Sequence, residues 1–299
     1  MQKIIVRLKG GLGNQLFLLA SAYRYAIKNN CELIIDERTG FKFDHLYKRS
    51  YQLYFFNASF NFAKKEELLE PFGRYRRYFA KKFRIFLSNN FYYYTQIGTD
   101  LDQFFLNNKI NTKILYYDGF GQSEKYFYDI KDQLINKLSV PSSKKIPLKF
   151  IKKLNNNCVS VHFRFFDIKD PLSELNLKDD YYRIATRLIS KKIKKPIFYI
   201  FSDNAELAKI RAKKIFSSYQ YLIVNDLNIP DINNYEFQLM SSFTNHIIAN
   251  STFSWWAAWI SEHVNNNVNI YAPGISLESS NYVTSWGFPY LIPERWEII

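Results

Sequence analysis

The chain has 299 residues, 41 basic against 27 acidic, for a formal net charge of +14. Apolar residues make up 47% of it, which supplies a packed core and excludes disorder as the main state. Its two cysteines form at most one pair, so a disulfide-stapled scaffold is excluded, and no apolar run approaches the roughly 18–20 residues of a membrane span.

The start, Met1-Gln2-Lys3-Ile4-Ile5-Val6-Arg7, reads as a buried strand and not as a secretory signal, because charge resumes at once. A cytoplasmic protein with an anionic partner is the resulting expectation. Residues 3–8 lead into Gly10-Gly11-Leu12-Gly13-Asn14-Gln15 and then into an apolar stretch at 16–26: strand, glycine turn, helix. A second apolar run at 32–36 completes a βαβ unit. Residues 40–130 are aromatic, with turn signals but no steady alternation of strand and helix.

From 158 onward the alternation returns. Apolar runs at 158–162, 197–201, 221–224, 246–249 and 268–271 are separated by helix-like stretches at 180–191, 204–215, 235–243 and 254–262. That rhythm predicts a doubly wound parallel sheet. The segment Pro141-Ser142-Ser143-Lys144-Lys145 and the turn Asn155-Asn156-Asn157 mark a crossing between halves, taken as 1–150 and 151–299. The expected fold is α/β, with two nucleotide-fold-like lobes facing a cleft.

Four places carry chemistry. Gly11-Leu12-Gly13 follows a strand as a dinucleotide fingerprint does, but Leu16 stands at the third glycine position and a P-loop Lys-Ser/Thr is absent. Alone it is a tight βα turn; the specific addition is Asn14-Gln15, two amides at a helix N-terminus that favours anions and polar ligands. His162-Phe163-Arg164-Phe165-Phe166-Asp167 ends a strand at the edge where ligands of open α/β sheets collect, and Arg164 offers a guanidinium fork for a diphosphate or a partner for a loop-closing Asp. Ser202-Asp203 ends the next strand and also suits an N-cap for the helix at 204–215. In the fourth, Asn250-Ser251-Thr252-Phe253-Ser254 opens an apolar helix with hydroxyls and N–H groups, a seat for phosphate, while the tryptophans that follow suit a core. Glu236 is the matching acceptor for the N1–H and N2–H pair of guanine, or an ordinary first-turn glutamate.

These motifs stand in an order that resembles bacterial α-1,2-fucosyltransferases (glycosyltransferase family 11). Residues 10–17, 121–127, His162-x-Arg164, Ser202-Asp203 and 250–256 carry the resemblance, which runs from about residue 4 to 273. It implies a GT-B-like, two-lobed, metal-independent inverting transferase with GDP-β-L-fucose as donor and no cofactor. A galactoside-containing surface glycan, free or lipid-linked, is the implied acceptor. The C-terminal half would bind the donor: His162 and Arg164 on the diphosphate, Ser251, Thr252 and Phe253 on phosphate and guanine, Glu236 on the guanine edge. Gly11, Gly13, Asn14 and Gln15 belong to the same donor set from the other lobe, the two amides facing the sugar. Asp167 is the first candidate for the acceptor base, with Glu174 and His162 behind it. The family writes His-x-Arg-Arg-x-Asp with Gly before the Asp; here Phe165 replaces the second Arg and Phe166 the small residue.

Two rivals follow from other residues. Asp100-Leu101-Asp102 has the Asp-x-Asp form of metal-dependent glycosyltransferases, but it precedes Gln103-Phe104-Phe105-Leu106 and is read as a helix cap. The charge and the 18% aromatic content raise nucleic-acid binding, yet zinc-ligand spacing, a helix-turn-helix pattern and an RNA-recognition signature are all missing. Finally, Arg74, Arg76, Arg77, Lys81, Lys82 and Arg84 come without an intervening acid, while Phe72, Tyr75, Phe79, Phe83 and Phe86 recur at helical spacing. That reads as a basic amphipathic helix, either packed by its aromatic face on the core or touching anionic lipid at the inner membrane face.

Overall fold

The computed structural model describes all residues except 69–71, 84–85, 89, 97, 99, 142–144, 167–175, 228, 230–231 and 275–287. Two compact units emerge, Met1–Pro141 with Phe288–Leu291, and Ser142–Gly287 with Ile292–Ile299, so the division falls ahead of position 150. None of the helices among the described residues is long and apolar enough to cross a membrane.

The first unit grows from the predicted βαβ start. Strand β1 (Lys3–Arg7) buries Ile4, Ile5 and Val6 completely. Gly10 then turns the chain at φ +73°, where a Cβ would lie 2.5 Å from Asn14 Nδ2, so this position requires glycine. Helix α1 (Leu12–Asn29) follows, and Asn30 in the left-handed region stops it before β2 (Glu32–Asp36), which pairs in parallel with β1. Next come β3 (Asn61–Phe62), α2 (Gly73–Phe83), β4 (Phe86–Ser88), β5 (Phe91–Thr95), α3 (Gln103–Asn107), β6 (Ile114–Asp118) and α4 (Lys131–Lys137). The sheet order is β3-β2-β1-β6-β5-β4, with only the β4–β5 pair antiparallel.

The aromatic stretch without visible rhythm therefore holds four of the six strands of this sheet. Its strands are rich in tyrosine, and a buried tyrosine needs an acceptor for its hydroxyl. Tyr93 donates to Asp118 at 2.7 Å, Tyr94 to Asp102 at 2.5 Å, and Tyr116 to Asp36. Asp102 also accepts from Phe105 N at 3.0 Å as the N-cap of α3, which is the cap role expected of it. Asp118 is buried between Arg7 (3.2 Å) and Lys9 (2.7 Å). Burial pushes its pKa up, but the two cations outweigh burial and hold the carboxyl well below the usual range. The resulting stabilisation is present above the ordinary carboxylate pKa and is lost as pH falls. Asp118→Asn, which leaves two cations unpaired, is expected to lower unfolding free energy by about 3 kcal/mol in denaturant titrations at pH 7.

On helix α2 the structure overturns one of the two expected readings, that its aromatic face packs on the core. Its buried positions are Gly73, Arg77 and Ala80, and the aromatic residues Phe72, Tyr75, Tyr78 and Phe79 face solvent. Ala80 packs with Leu68, Phe91 and Tyr116, and Arg77 donates to the Leu68 carbonyl at 2.8 Å. Arg77 is thus a structural residue and not part of the exposed cationic face. Arg74, Arg76 and Lys82 are exposed; the side chains of Lys81, Phe83 and Phe86, and Arg84 entirely, lie outside the described residues.

The second unit follows the predicted rhythm closely. It contains α5 (Leu148–Ile151), β7 (Cys158–Phe163), α6 (Asp179–Lys192), β8 (Ile197–Ser202), α7 (Ala205–Ile215), β9 (Gln220–Ile223), α8 (Ile232–Met240), β10 (Asn245–Ile247), α9 (Thr252–Val264), β11 (Asn269–Ala272) and β12 (Glu297–Ile298). Every pair is parallel and the order is β12-β11-β10-β7-β8-β9. Counted from β7, this is the 3-2-1-4-5-6 arrangement of dinucleotide-binding sheets. Trp255, Trp256 and Trp259 on α9 are fully buried, and Trp296 packs 5.4 Å from Trp255, so the tryptophans are core.

Candidate active site

In a sheet of this order, the loops after the first and fourth strands run to opposite faces and leave a crevice at the carboxyl edge. Here those strands are β7 and β10. The first delivers His162 and Arg164, the second Asn250 and the N-terminus of α9. Two adjacent residues of α6 hold both strand ends. The Tyr181 hydroxyl lies 2.7 Å from the Ile248 carbonyl and 3.0 Å from that of Tyr271, while Tyr182 donates to the His162 carbonyl at 2.9 Å. Sequence reasoning missed this clamp; the available signal was a pair of tyrosines opening a helix whose next strands are apolar.

Arg164 is held in an ion pair with Asp203, whose other oxygen accepts the Phe165 N–H at 3.1 Å. Asp203 is available for this because it does not cap α7. Asn204 does, accepting from Leu207 N at 3.0 Å, which corrects the expected Ser/Asp cap. Ser202 is buried, with its hydroxyl accepting from Asn204 N at 3.1 Å. The Phe166 ring lies 4.9 Å from the Arg164 guanidinium carbon, so the aromatic replacement of the small residue stacks on the surviving arginine. Phe165 turns to the core instead, where Arg211 lies 5.2 Å above its ring and close to Phe163 and Tyr182.

His162 from β7 and Phe253 from α9 meet at this edge, with α8 beside them. The Phe253 ring sits 5.8 Å from His162 and 5.3 Å from Phe237, the neighbour of Glu236. Burial, with Arg164 nearby, lowers the His162 pKa to about 3, so its imidazole is neutral at physiological pH. Its Nδ1 is buried without a hydrogen-bond partner. Glu236 shows the same feature: Oε1 is buried and unpartnered, and burial pushes the carboxyl up to about 7. Unpartnered buried polar atoms are uncommon and mark places where a ligand completes the structure. At α9, Ser251 is the N-cap residue without a side-chain capping bond, and Thr252 opens the helix. Ser254 is turned inward, donating to the Ser251 carbonyl at 3.2 Å, so its hydroxyl serves the backbone. Asp167 and Glu174, the carboxylates expected to serve as base, lie in 167–175, outside the described residues.

The glycine turn of the first unit occupies the equivalent edge of its own sheet, between β1 and β6. Gly11 is the N-cap residue of α1 and Gly13 is buried in the first turn. Asn14 Oδ1 accepts from Gln122 Nε2 at 3.1 Å, joining the turn to the loop after β6. Gln122 is buried and its Oε1 is unpartnered, an addition to the expected residues. Gln15 corrects its expectation of facing a sugar. It is fully buried, with Nε2 donating to Gly10 O and Ser50 O and Oε1 accepting from Gln52 N, each at 2.9 Å, so it clamps residues 50–52 to the turn. Among the described residues, groups of three or more His, Cys, Asp or Glu placed to hold a metal ion are absent.

Two parallel α/β sheets of this kind define a GT-B-type scaffold. The fold is similar to that of a mutant of Arabidopsis thaliana FUT1 in complex with GDP, with a TM-score of 0.52 at 13% identity, covering 91% of this chain and 70% of that one. The sequence matches the profile of Glycosyl transferase family 11 over residues 3–288, and the chain belongs to that family. An Escherichia coli alpha-1,2-colitosyltransferase is 28% identical over 274 residues, 88% of this chain and 89% of that protein. The Escherichia coli O-antigen biosynthesis glycosyltransferase WbnK is 27% identical over 281 residues, 85% of this chain and 88% of that protein. The protein is a glycosyltransferase.

Proposed function

We propose that the protein transfers L-fucose, with inversion, from GDP-β-L-fucose to the 2-hydroxyl of a galactoside in a surface glycan of the O-antigen type. The observation that carries this reading is the placement of Arg164, His162 and Phe253 at the β7/β10 edge of one parallel sheet, with Phe237, the neighbour of Glu236, against Phe253. Oε1 of Glu236 is buried without a hydrogen-bond partner, and the guanine N1–H and N2–H pair matches a carboxylate. Phe253, between two aromatic neighbours, offers a stacking face for the base. Arg164 takes the diphosphate, with Asn250, Ser251 and Thr252 at the N-terminus of α9. Ser202 and Asp203 support this seat, the latter by fixing Arg164.

The acceptor hydroxyl attacks the anomeric carbon on the face opposite GDP. As the bond to the leaving oxygen breaks, charge grows on the β-phosphate, and Arg164 with the donors of 250–252 stabilises it. The hydroxyl proton passes to Asp167 in this scheme, with Glu174 as the alternative. His162, with a pKa of about 3, is a poor proton acceptor at neutral pH and serves as a neutral hydrogen-bond donor. No metal is assigned a step. The C-terminal unit holds the donor and the N-terminal unit the acceptor, which is lipid-linked and met at the inner face of the cell membrane.

A second reading, with a GDP-colitose donor, is favoured by the 28%-identical colitosyltransferase and by Phe166 against Arg164, an apolar ring beside the diphosphate cation. A thermal-shift panel tests both. GDP and GDP-fucose are expected to raise the melting temperature, in EDTA as well as without it, while UDP, CMP and dTDP compounds leave it unchanged. Stabilisation only by another nucleotide overturns the donor class, and a requirement for Mn²⁺ overturns metal independence. Comparing turnover of GDP-fucose with GDP-colitose then separates the two sugars.

A further inference from the structure

Helix α2 and the residue before it carry four large aromatic side chains in solvent. Phe72 is 73% exposed, Tyr75 64%, Tyr78 58% and Phe79 52%, on a helix whose buried stripe consists of Gly73, Arg77 and Ala80. Scattered exposed rings are ordinary, but four within eight residues form a patch that water does not favour. Arg74, Arg76 and Lys82 are exposed among them, and residues 72–83 contain no acid. Phe43, itself 47% exposed, extends the patch, with the Arg74 guanidinium 4.7 Å over its ring.

This mixture of rings and cations identifies the partner. A second copy of the chain meeting this face about a two-fold axis would set cations against cations. The headgroup layer of an anionic bilayer accepts both components: Tyr and Phe rings settle at the polar–apolar boundary, and Arg and Lys meet lipid phosphates. We propose that the exposed face of α2, extended by Phe43, seats the protein on an anionic lipid bilayer, with Tyr75, Tyr78 and Phe79 entering the headgroup layer. The proposal deepens the reading of a membrane-borne acceptor and rests on it for its purpose, but vesicle binding is measured without any transfer reaction.

Co-sedimentation with phosphatidylglycerol–phosphatidylethanolamine vesicles is expected, falling with salt, and absent with phosphatidylcholine alone. Combined Arg74→Gln, Arg76→Gln and Lys82→Gln substitutions are expected to weaken binding on the order of 100-fold, at roughly fivefold per cation. Combined Tyr75→Ser, Tyr78→Ser and Phe79→Ser substitutions are expected to abolish binding at unchanged charge, with GDP stabilisation retained. If that triple variant fails to fold, quenching of Tyr75→Trp emission by bromine-labelled lipid reads insertion directly. Failure of the native protein to bind anionic vesicles overturns the proposal. So does full binding by the ring variant, absence of quenching, or a dimer in light scattering that the ring substitutions dissolve. Loss of vesicle binding with transfer to a short soluble acceptor intact locates the effect at the membrane and not in catalysis.

Discussion

Arg164→Ala is expected to lower kcat by about 10²-fold or more, the effect of removing one preorganised donor from a developing oxyanion. The structure adds a feature that separates two parts of this loss. Arg164 is paired with Asp203, so the alanine variant also leaves a carboxylate beside the diphosphate. Like-charge repulsion then weakens donor binding as well, and KM for the donor rises together with the fall in kcat. Adding Asp203→Asn removes the repulsion and is expected to restore much of the KM but little of the kcat. Arg164→Lys keeps the charge without the planar fork and falls between the two. Steady-state kinetics on the four proteins checks the scheme; near-native turnover in Arg164→Ala removes Arg164 from the leaving-group role.

Glu236→Gln is expected to move stability and affinity in opposite directions. In the unliganded protein, burial raises the Glu236 pKa from 4.5 to about 7. A carboxyl whose folded pKa lies above its unfolded value contributes stability that is full below about pH 4.5 and is lost as pH rises to about 7. Above that pH its charge costs up to about 3 kcal/mol, which glutamine does not incur. The variant is therefore expected to melt higher at pH 8 and to lose this slope between the two pH values. Guanine binding needs the ionised form, so GDP affinity is expected to climb toward pH 7 and to release a proton below it. Glutamine offers one acceptor and a misdirected donor, and loss of a charge-assisted pair is expected to weaken GDP on the order of 10²-fold. Calorimetry in buffers of different ionisation enthalpy reads both the affinity and the proton. Unchanged GDP affinity in the variant would exclude Glu236 from the guanine edge.

The second unit was legible because its strands are buried on both faces and its helices amphipathic, the pattern that hydropathy detects. Cys158–Phe163 and Ile197–Ser202 are such strands, and both ends carry site residues. The sheet of the first unit was not legible beyond β2, since in Phe91–Thr95 and Ile114–Asp118 the core residues are tyrosines whose hydroxyls are satisfied by aspartates distant in sequence. On α2 the helical period was legible, but not which of its faces packs on the core. The seam is one narrow row, Gly73, the stem of Arg77 and Ala80, and an aromatic row at similar spacing draws the eye instead. Site residues that bond through side chains, Arg164 to Asp203 and Asn14 to Gln122, lie 39 and 108 positions apart, distances over which spacing carries no information.

The ring of Phe165 beneath Arg211 couples two positions physically. Arg211 is surrounded by Phe163, Phe165 and Tyr182 and anchored by Asp179 at 2.8 Å. An arginine following the path of Phe165 would bring a second guanidinium against the first, so along that path Arg211 disfavours a cation at 165.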